Sequence, residues 1–245
     1  MSAFDYSFYA LVLMGAFAVR SAAGFGAVLI AVPMLALVMP MSAAVSIGSA
    51  LTAITSVHQL GRGWRNIAWR EFTRIAFYTA IGIALGFYVF ALLNEDVLRR
   101  SFGVFLVLYA LYALWTAKAP VVLPTRWHGV LAAVTGISGG FIGALFGAGV
   151  GPIYVIYFNA LRLEREVFRV TMTTVALIGG LTRITGYAGM GFYQRSTLVL
   201  LAVGLPMVII GSWLGDRVVR RLNPQHFGVF IGGLILLSGI ALLLK

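Results

Sequence analysis

The amino-acid sequence of this chain contains the same pattern twice, and this duplication limits the folds that it can adopt. The two halves match at a shift of 123 positions around two glycine clusters and the segments that follow them, and at 125 positions farther along. The matched pairs are 24–28 with 147–151, 49–52 with 172–175, Gly86 with Gly211, and 102–103 with 227–228. Each half is predicted to contain a glycine-broken apolar segment, a helix of small residues, a helix with a GxxxG motif and a final apolar helix. Paired interruptions in two hydrophobic halves are typical of transporter binding sites.

The composition places both halves in a membrane. Hydrophobic residues make up 61% of the 245-residue chain and charged residues 10%, with a mean hydropathy of +0.98. Soluble domains average about 45–50% apolar and about 25% charged residues, so the excess apolar surface must face lipid. We therefore expect an all-α polytopic membrane protein, with residues 1–122 as the first repeat and 123–245 as the second repeat of one integral membrane domain.

Charge and residue usage exclude several classes of function. The formal net charge is +11, but the basic residues lie between apolar stretches and not in one run, so the predicted partner is the lipid bilayer and not a nucleic acid. The chain has no cysteine and none of the common hydrolase, metalloprotease or P-loop motifs, so no catalytic residue, cofactor or metal site is predicted. The seven acidic residues all lie near predicted interfaces, and His58 is predicted to be an interfacial polar residue.

Six apolar stretches have the length of a spanning helix, which is about 17–25 residues. They are 42–60, 75–93, 98–116, 167–186, 197–215 and 227–244. Two further stretches, 6–40 and 128–160, are too long for one helix. The first is predicted to be interrupted around Arg20–Gly24 and the second between Gly139 and Gly151.

The distribution of positive charge decides between two topologies. If each broken stretch crosses once, eight Lys and Arg residues lie on each side of the membrane. If each broken stretch is a hairpin, the loops 61–74, 117–127, 161–169 and 216–226 share one side with twelve basic residues against four. Because cytoplasmic loops carry the excess of Lys and Arg, we expect two inverted repeats, each a Gly-broken helical hairpin followed by three transmembrane helices.

The glycine-rich breaks are the predicted substrate site. A break leaves free backbone N–H groups at the beginning of the next half-helix, and such helix N-termini bind anions. Arg20 and Arg183 lie within apolar segments, where a charge is costly and points to function. The structural alternatives are that the glycines only permit turns, and that the arginines cap helix ends or anchor at an interface. The residues predicted to bind substrate are Arg20, Ser21, Gly24, Gly26, Ser49, Thr52, Gly147, Gly149, Gly151, Thr171, Thr173 and Arg183.

Hydroxyl groups are frequent on the helices that follow the two breaks. Ser49, Thr52 and Ser56 fall on one face of the first of these helices, and Thr171 and Thr173 lie on the second. Such hydroxyls can coordinate the oxygens of an anion. The alternative is that they hydrogen-bond within or between helices, which is common in membrane proteins.

Three GxxxG motifs predict close helix packing: Gly82-x-x-x-Gly86, Gly211-x-x-x-Gly215 and Gly228-x-x-x-Gly232. Small residues at this spacing let transmembrane backbones approach each other. Packing within the chain is the favoured interpretation, and a homodimer through these faces is the alternative.

The two glycine clusters resemble the signatures of the sulfite exporter TauE/SafE family. Residues 24–35 resemble the first-repeat signature, a glycine cluster followed by Pro33, and residues 147–152 resemble the second. The segments 47–51 and 170–173 resemble the small-residue and hydroxyl segments that follow, although Ala27 and Val28 stand where the family has glycines. The resemblance implies a bacterial or archaeal inner-membrane permease for sulfite, sulfonates, sulfoacetate or organic acids.

The leading hypothesis is a secondary transporter that exports a small organic or sulfur-containing anion by alternating access at two midplane breaks. An anion channel lined by the same helix N-termini is the alternative. A membrane-embedded enzyme or assembly subunit is a weaker one, because no catalytic group of residues is visible.

Overall fold

The computed structural model describes residues 3–23, 26–60, 63–116, 127–147, 150–218 and 224–244. Over these residues the chain forms ten α-helices and one short 3₁₀ helix, Trp64–Asn66, and no β-strand, which confirms the all-α class. The helices are α1 Ala3–Ala23, α2 Ala27–Leu35, α3 Met41–Leu60, α4 Trp69–Leu92, α5 Glu95–Thr116, α6 His128–Phe146, α7 Val150–Ala160, α8 Arg165–Gly189, α9 Arg195–Val218 and α10 Pro224–Leu244.

The six predicted spanning stretches are each observed as one helix, namely α3, α4, α5, α8, α9 and α10. Among the described residues, four segments are long and apolar enough to cross a membrane: Trp69–Leu92, His128–Phe146, Glu166–Gly189 and Arg195–Arg217. Shorter apolar segments lie in α3 and α10. The second of the four crossing segments is α6, which is the long arm of a predicted broken stretch.

Both predicted interruptions are observed, and glycines lie at each. Gly26, before α2, has φ of +96°, and Gly147, after α6, has φ of +65°, both in the left-handed region that favours glycine. The first break lies later than predicted, because α1 continues to Ala23. Arg20 and Ser21 therefore belong to the last turn of α1 and not to the break.

Each broken stretch pairs a long helix with a short one. The helices α2 and α7 have 9 and 11 residues, which at 1.5 Å per residue gives about 14 and 16 Å. These lengths are about half of a hydrocarbon core of roughly 30 Å. All residues of α2 except Met34 are buried, as expected for a short helix at membrane depth, which must be surrounded by protein.

The second broken stretch is a hairpin. A Cβ atom built on Gly139 of α6 would lie 2.5 Å from Cε1 of Tyr154 in α7. In one straight helix these two residues would be about 22 Å apart along the axis, so α7 must fold back along α6. In the first stretch, α2 likewise packs against α1.

The helices form two compact units, and each unit takes helices from both sequence halves. The first unit contains α1, α2, the beginning of α3, α5, α9 and α10. The second contains α3 from Ser49 onward, α4, α6, α7 and α8. The division of the sequence into repeats at residue 122 stays a prediction about sequence, because the compact units combine helices of both halves.

In the first unit, α1 packs against α9 through the second GxxxG motif. A Cβ atom on Gly211 would overlap the carbonyl oxygen of Met14, and one on Gly215 would overlap that of Ala18. Residue numbers rise together along both helices, so α1 and α9 run parallel.

The second unit repeats this packing with α4 and α6. A Cβ atom on Gly82 would overlap the carbonyl oxygen of Ile137, and one on Gly86 would lie 2.7 Å from that of Phe141. Ile137 lies 123 positions after the Met14 that faces Gly211, so the two units use equivalent sites on α1 and α6.

This packing corrects the sequence alignment of the GxxxG helices. The sequence match paired Gly86 with Gly211, whereas their contacts pair Gly82 with Gly211 and Gly86 with Gly215, at a spacing of 129 positions. The faces of both motifs are occupied by helices of the same chain. The third motif begins at Gly228, whose surroundings lie outside the described part of the chain, and a homodimer stays a prediction.

The last helices of the two halves, α5 and α10, pack against each other in the first unit. A Cβ atom on Gly103 would lie 2.8 Å from Cγ of Leu243, and one on Gly239 would lie 3.0 Å from Cβ of Leu106. Residue numbers rise along α5 as they fall along α10. These two corresponding helices therefore run antiparallel.

Candidate functional site

In the first unit, the polar residues before the break belong to the last turn of α1. The side chain of Arg20 is 5% exposed, and its Cζ lies 5.9 Å from the ring centroid of Phe17. The hydroxyl of the next residue, Ser21, donates to Oδ1 of Asp216 in α9 at 2.6 Å. The structure thus buries the predicted cation, and it gives Ser21 a hydrogen bond that holds the end of α1 against α9.

In the second unit, the side chain of Arg183 in α8 is 1% exposed and is the largest among the fully buried side chains of the described residues. A Cβ atom on Gly179 would lie 3.3 Å from its Nη1, so the guanidinium lies back along its own helix. Arg183 also interacts electrostatically with Tyr154 of α7. The structure thus buries Arg183 within α8, six residues before the helix ends at Gly189.

Tyr154 is the side chain that connects the second hairpin to its neighbours. Its hydroxyl lies 2.6 Å from Oγ1 of Thr79 in α4. Thr79 donates its own proton to the carbonyl of Ile75 at 2.7 Å, so the proton between the two hydroxyls comes from Tyr154. Gly139 leaves the space for the tyrosine ring. The buried phenol therefore fixes α7 against α4 and α6.

Two helices that carry predicted site residues meet close to Arg183. A Cβ atom on Gly180 of α8 would lie 3.0 Å from Cβ of Ala53 in α3. Ser49 precedes Ala53 by one helical turn, and Arg183 follows Gly180 by three residues, which is about 4.5 Å along the axis. Ser49, Thr52 and Arg183 are thus all within about one turn of the point where α3 and α8 meet.

The hydroxyls of Ser49 and Thr52 differ from those around them. Ser49 is 0% and Thr52 7% exposed, yet neither hydroxyl oxygen has a hydrogen-bond partner among the described residues. Neighbouring hydroxyls donate to carbonyls of their own helix: Ser46 to Ser42, Thr55 to Leu51 and Ser56 to Thr52. Most buried polar groups are hydrogen-bonded, so these two exceptions mark a place where a partner is expected.

The other two predicted hydroxyls lie elsewhere on α8. Oγ1 of Thr171 accepts a hydrogen bond from the backbone N–H of Ala68 at 3.0 Å, and Thr173 donates to the carbonyl of Arg169 at 2.9 Å. Thr171 precedes Arg183 by twelve residues, or about 18 Å along the helix. The structure therefore does not bring Thr171 and Thr173 together with Arg183.

The predicted glycines lie at the breaks as far as the structure describes them. Gly26 precedes α2, Gly147 follows α6, and Gly151 is in the first turn of α7. Gly24 and Gly149 lie outside the described residues.

Three contributors were not predicted as site residues: Thr79, Tyr154 and Gly180. The adjacent glycines 179–180, four and three residues before Arg183, are the sequence signal that could have indicated a close helix approach beside a buried cation.

Three acidic side chains form ion pairs at helix beginnings, whereas Asp216 lies in the last turn of α9, where it accepts the hydrogen bond from Ser21. Glu71–Arg74, Asp96–Arg99 and Glu166–Arg169 form ion pairs of 3.2, 2.8 and 2.8 Å within the first turns of α4, α5 and α8. Carboxylates are stabilised there by the helix dipole. Among the described residues, no group of three or more His, Cys, Asp or Glu side chains is placed to hold a metal ion.

The outer surface of α4 shows what surrounds these helices. On the face away from its packed glycines, large apolar side chains recur every three or four residues and are 39–69% exposed: Phe77, Ile81, Leu85, Tyr88 and Leu92. An exposed apolar stripe along a spanning helix must contact lipid. Together with broken helices and buried cations, it defines a multi-pass membrane protein of the transporter class.

The chain belongs to the sulfite exporter TauE/SafE family, which it matches over residues 9–242. It is 24% identical over 201 residues to a probable sulfite/organosulfonate exporter TauE of Cupriavidus necator, covering 79% of this chain and 77% of that protein. It is also 24% identical to a probable membrane transporter protein of Methanocaldococcus jannaschii, covering 74% of this chain and 70% of the relative. A probable inner membrane transporter protein TsaS of Comamonas testosteroni is 24% identical, covering 74% and 75%. No solved structure matches the chain significantly.

Proposed function

We propose that this membrane transporter exports a small organic or sulfur-containing anion, of the sulfite, sulfonate or sulfoacetate class, by alternating access at its two glycine-rich breaks. The observation that carries the proposal is the burial of one guanidinium in each unit, Arg20 at 5% and Arg183 at 1% exposure. A charge inside a membrane segment costs at least about 2.5–3.5 kcal/mol. Each buried guanidinium supplies a positive charge to which the oxygens of a transported anion are attracted.

The chemistry of the site suits an oxyanion. Guanidinium groups, serine and threonine hydroxyls and the free N–H groups of α2 and α7 are all donors, and ionised sulfonate and carboxylate oxygens are all acceptors. The name of the Cupriavidus necator relative, a probable sulfite/organosulfonate exporter, supports a sulfur-containing anion among these substrates.

The inverted arrangement of the repeats is supported by the antiparallel packing of α5 and α10. If the halves were parallel repeats, their two final helices would cross the membrane in the same direction. The excess of basic residues on one predicted side supports the same arrangement.

We expect single cysteines at Asn66 and Gln194 to be labelled from opposite sides of the membrane. Asn66 ends the short 3₁₀ helix and Gln194 directly precedes α9; both are exposed, and the chain has no cysteine to interfere. Asn66→Cys should react only after the membrane is permeabilised, whereas Gln194→Cys should react with a membrane-impermeant maleimide in intact cells. The eight-crossing topology places both on one side, so equal labelling of the two from outside or from inside would contradict the inverted repeats.

The proposed function is tested with the purified chain in liposomes loaded with sulfite, sulfoacetate, taurine or acetate. We expect saturable efflux of at least one anion, stimulated by the same anion on the other side. One charge crossing 100 mV is worth about 2.3 kcal/mol, or roughly fiftyfold in the equilibrium gradient of a monoanion. A valinomycin potential, negative inside, should therefore accelerate efflux, and the reversed potential should slow it.

Protein-free liposomes are the control for this experiment. Efflux that does not saturate and has a high conductance would indicate an anion channel and contradict a transporter. Efflux that ignores the potential but follows a pH gradient would contradict export driven by the charge of the substrate.

A further inference from the structure

Four hydroxyls on the helices that follow the breaks were equivalent candidates in the sequence, and the structure separates them. Thr171 and Thr173 have backbone partners at 3.0 and 2.9 Å, whereas the oxygens of Ser49 and Thr52 have none among the described residues. An unsatisfied buried hydroxyl is destabilising unless another molecule supplies the partner.

The side chains of Ser49 and Thr52 do not make the hydrogen bond to their own helix that is common for helical serine and threonine. A helical serine or threonine can donate to the carbonyl one turn before it, and thereby satisfy its own hydroxyl. On the same helix, Ser46 and Thr55 do so at 2.6 and 2.9 Å. Ser49 and Thr52 have equivalent carbonyls within reach along the chain, yet their hydroxyls do not use them.

The position of the pair connects it to the buried cation. Ser49 and Thr52 are three residues apart and so share one side of α3. Ala53, which follows them, contacts Gly180 of α8, three residues before Arg183. Two hydroxyl donors on α3 and a guanidinium on α8 thus lie within about one helical turn of the same helix crossing.

We propose that the hydroxyls of Ser49 and Thr52 donate to the oxygens of the transported oxyanion beside Arg183, and that those of Thr171 and Thr173 do not. The pair then determines substrate specificity, because a site built from hydrogen-bond donors rejects molecules that cannot accept hydrogen bonds. This inference rests on the proposed function, since it assigns residues to the same anion site.

The test compares Ser49→Ala and Thr52→Val with two control variants on the same helix, Ser46→Ala and Thr55→Val. With sulfite and sulfoacetate as probes, each site variant should raise the concentration for half-maximal transport by about tenfold or more, as expected for the loss of a hydrogen bond to a charged group. The control variants should change the half-saturating concentration by less than about threefold. Thr52→Ser, which keeps the hydroxyl, should have a half-saturating concentration close to that of the wild type.

A second measurement separates binding from folding. Without substrate, Ser49→Ala and Thr52→Val should melt at the wild-type temperature or above it, because each removes an unsatisfied buried donor. The rise in melting temperature on adding the probe should shrink in these variants and persist in the controls. Unchanged half-saturation and an unchanged substrate-induced rise would overturn this inference while wild-type transport upholds the proposed function. A wild-type chain that transports none of the four anions, sulfite, sulfoacetate, taurine and acetate, would overturn both.

Discussion

Replacement of Arg183 by alanine is expected to abolish saturable anion transport, and replacement of Arg20 by alanine is expected to do the same. Both guanidiniums are at least 95% buried, with exposures of 1% and 5%. Truncating one member of a buried charge pair costs about 2–5 kcal/mol, so transport at a fixed low substrate concentration should fall at least about thirtyfold. The measurement is the initial rate of efflux from liposomes, together with the thermal shift produced by sulfite or sulfoacetate.

Lysine variants distinguish a loss of anion binding from a loss of folding. Arg183→Lys and Arg20→Lys retain the charge but lack the planar fork that meets two oxygens at once, so each should recover only part of the affinity. Arg65→Ala, at an exposed position whose Cζ lies 5.5 Å from the Trp64 ring centroid, is the control and should transport normally. If a folded Arg183→Ala protein binds the anion with wild-type affinity, Arg183 has a structural role and does not bind the substrate.

The second large effect is expected on stability, at the glycines where helices touch. Gly82→Ala should place a methyl group on the carbonyl oxygen of Ile137, and Gly211→Ala should place one on that of Met14. Backbone cannot yield as a side-chain tip can, so each substitution should cost about 3 kcal/mol. The apparent melting temperature in detergent should fall by about 6–12 °C.

The chain offers a matched control within each helix pair. At Gly129 of α6 and Gly15 of α1, no atom from another helix of the described chain lies within 4 Å of the position that a Cβ would take. Alanine there should be neutral or should stabilise the helix by up to about 1 kcal/mol, because glycine is the weaker helix former. Equal melting temperatures for Gly82→Ala and Gly129→Ala would show that the contact between α4 and α6 does not limit stability.

Much of the fold could be predicted from the sequence because it depends on local chemistry. Apolar runs of spanning length became α3, α4, α5, α8, α9 and α10. The breaks came where Gly26 and Gly147 adopt positive φ, a conformation that glycine adopts without the penalty that a Cβ would carry. The family could be inferred for the same reason, since its signatures are the residues that make these breaks.

The candidate site could be predicted only in part. The sequence indicated Arg20 and Arg183 as charges in apolar segments, and the structure buries both. It could not rank Ser49 and Thr52 above Thr171 and Thr173, because all four are hydroxyls on helices that follow a break. Whether a hydroxyl is satisfied depends on its rotamer and on the backbone that lies opposite it.

What only the tertiary structure decided is which helices pair. The sequence alone determined a helical membrane protein with two broken segments, because helix formation and membrane insertion follow from hydrogen bonds and hydropathy within about twenty residues. The packing of Gly211 on Met14 and of Gly82 on Ile137 joins residues from different halves of the chain. Such contacts depend on the shapes of two finished helix surfaces, and no pattern within one segment specifies the surface that it will meet.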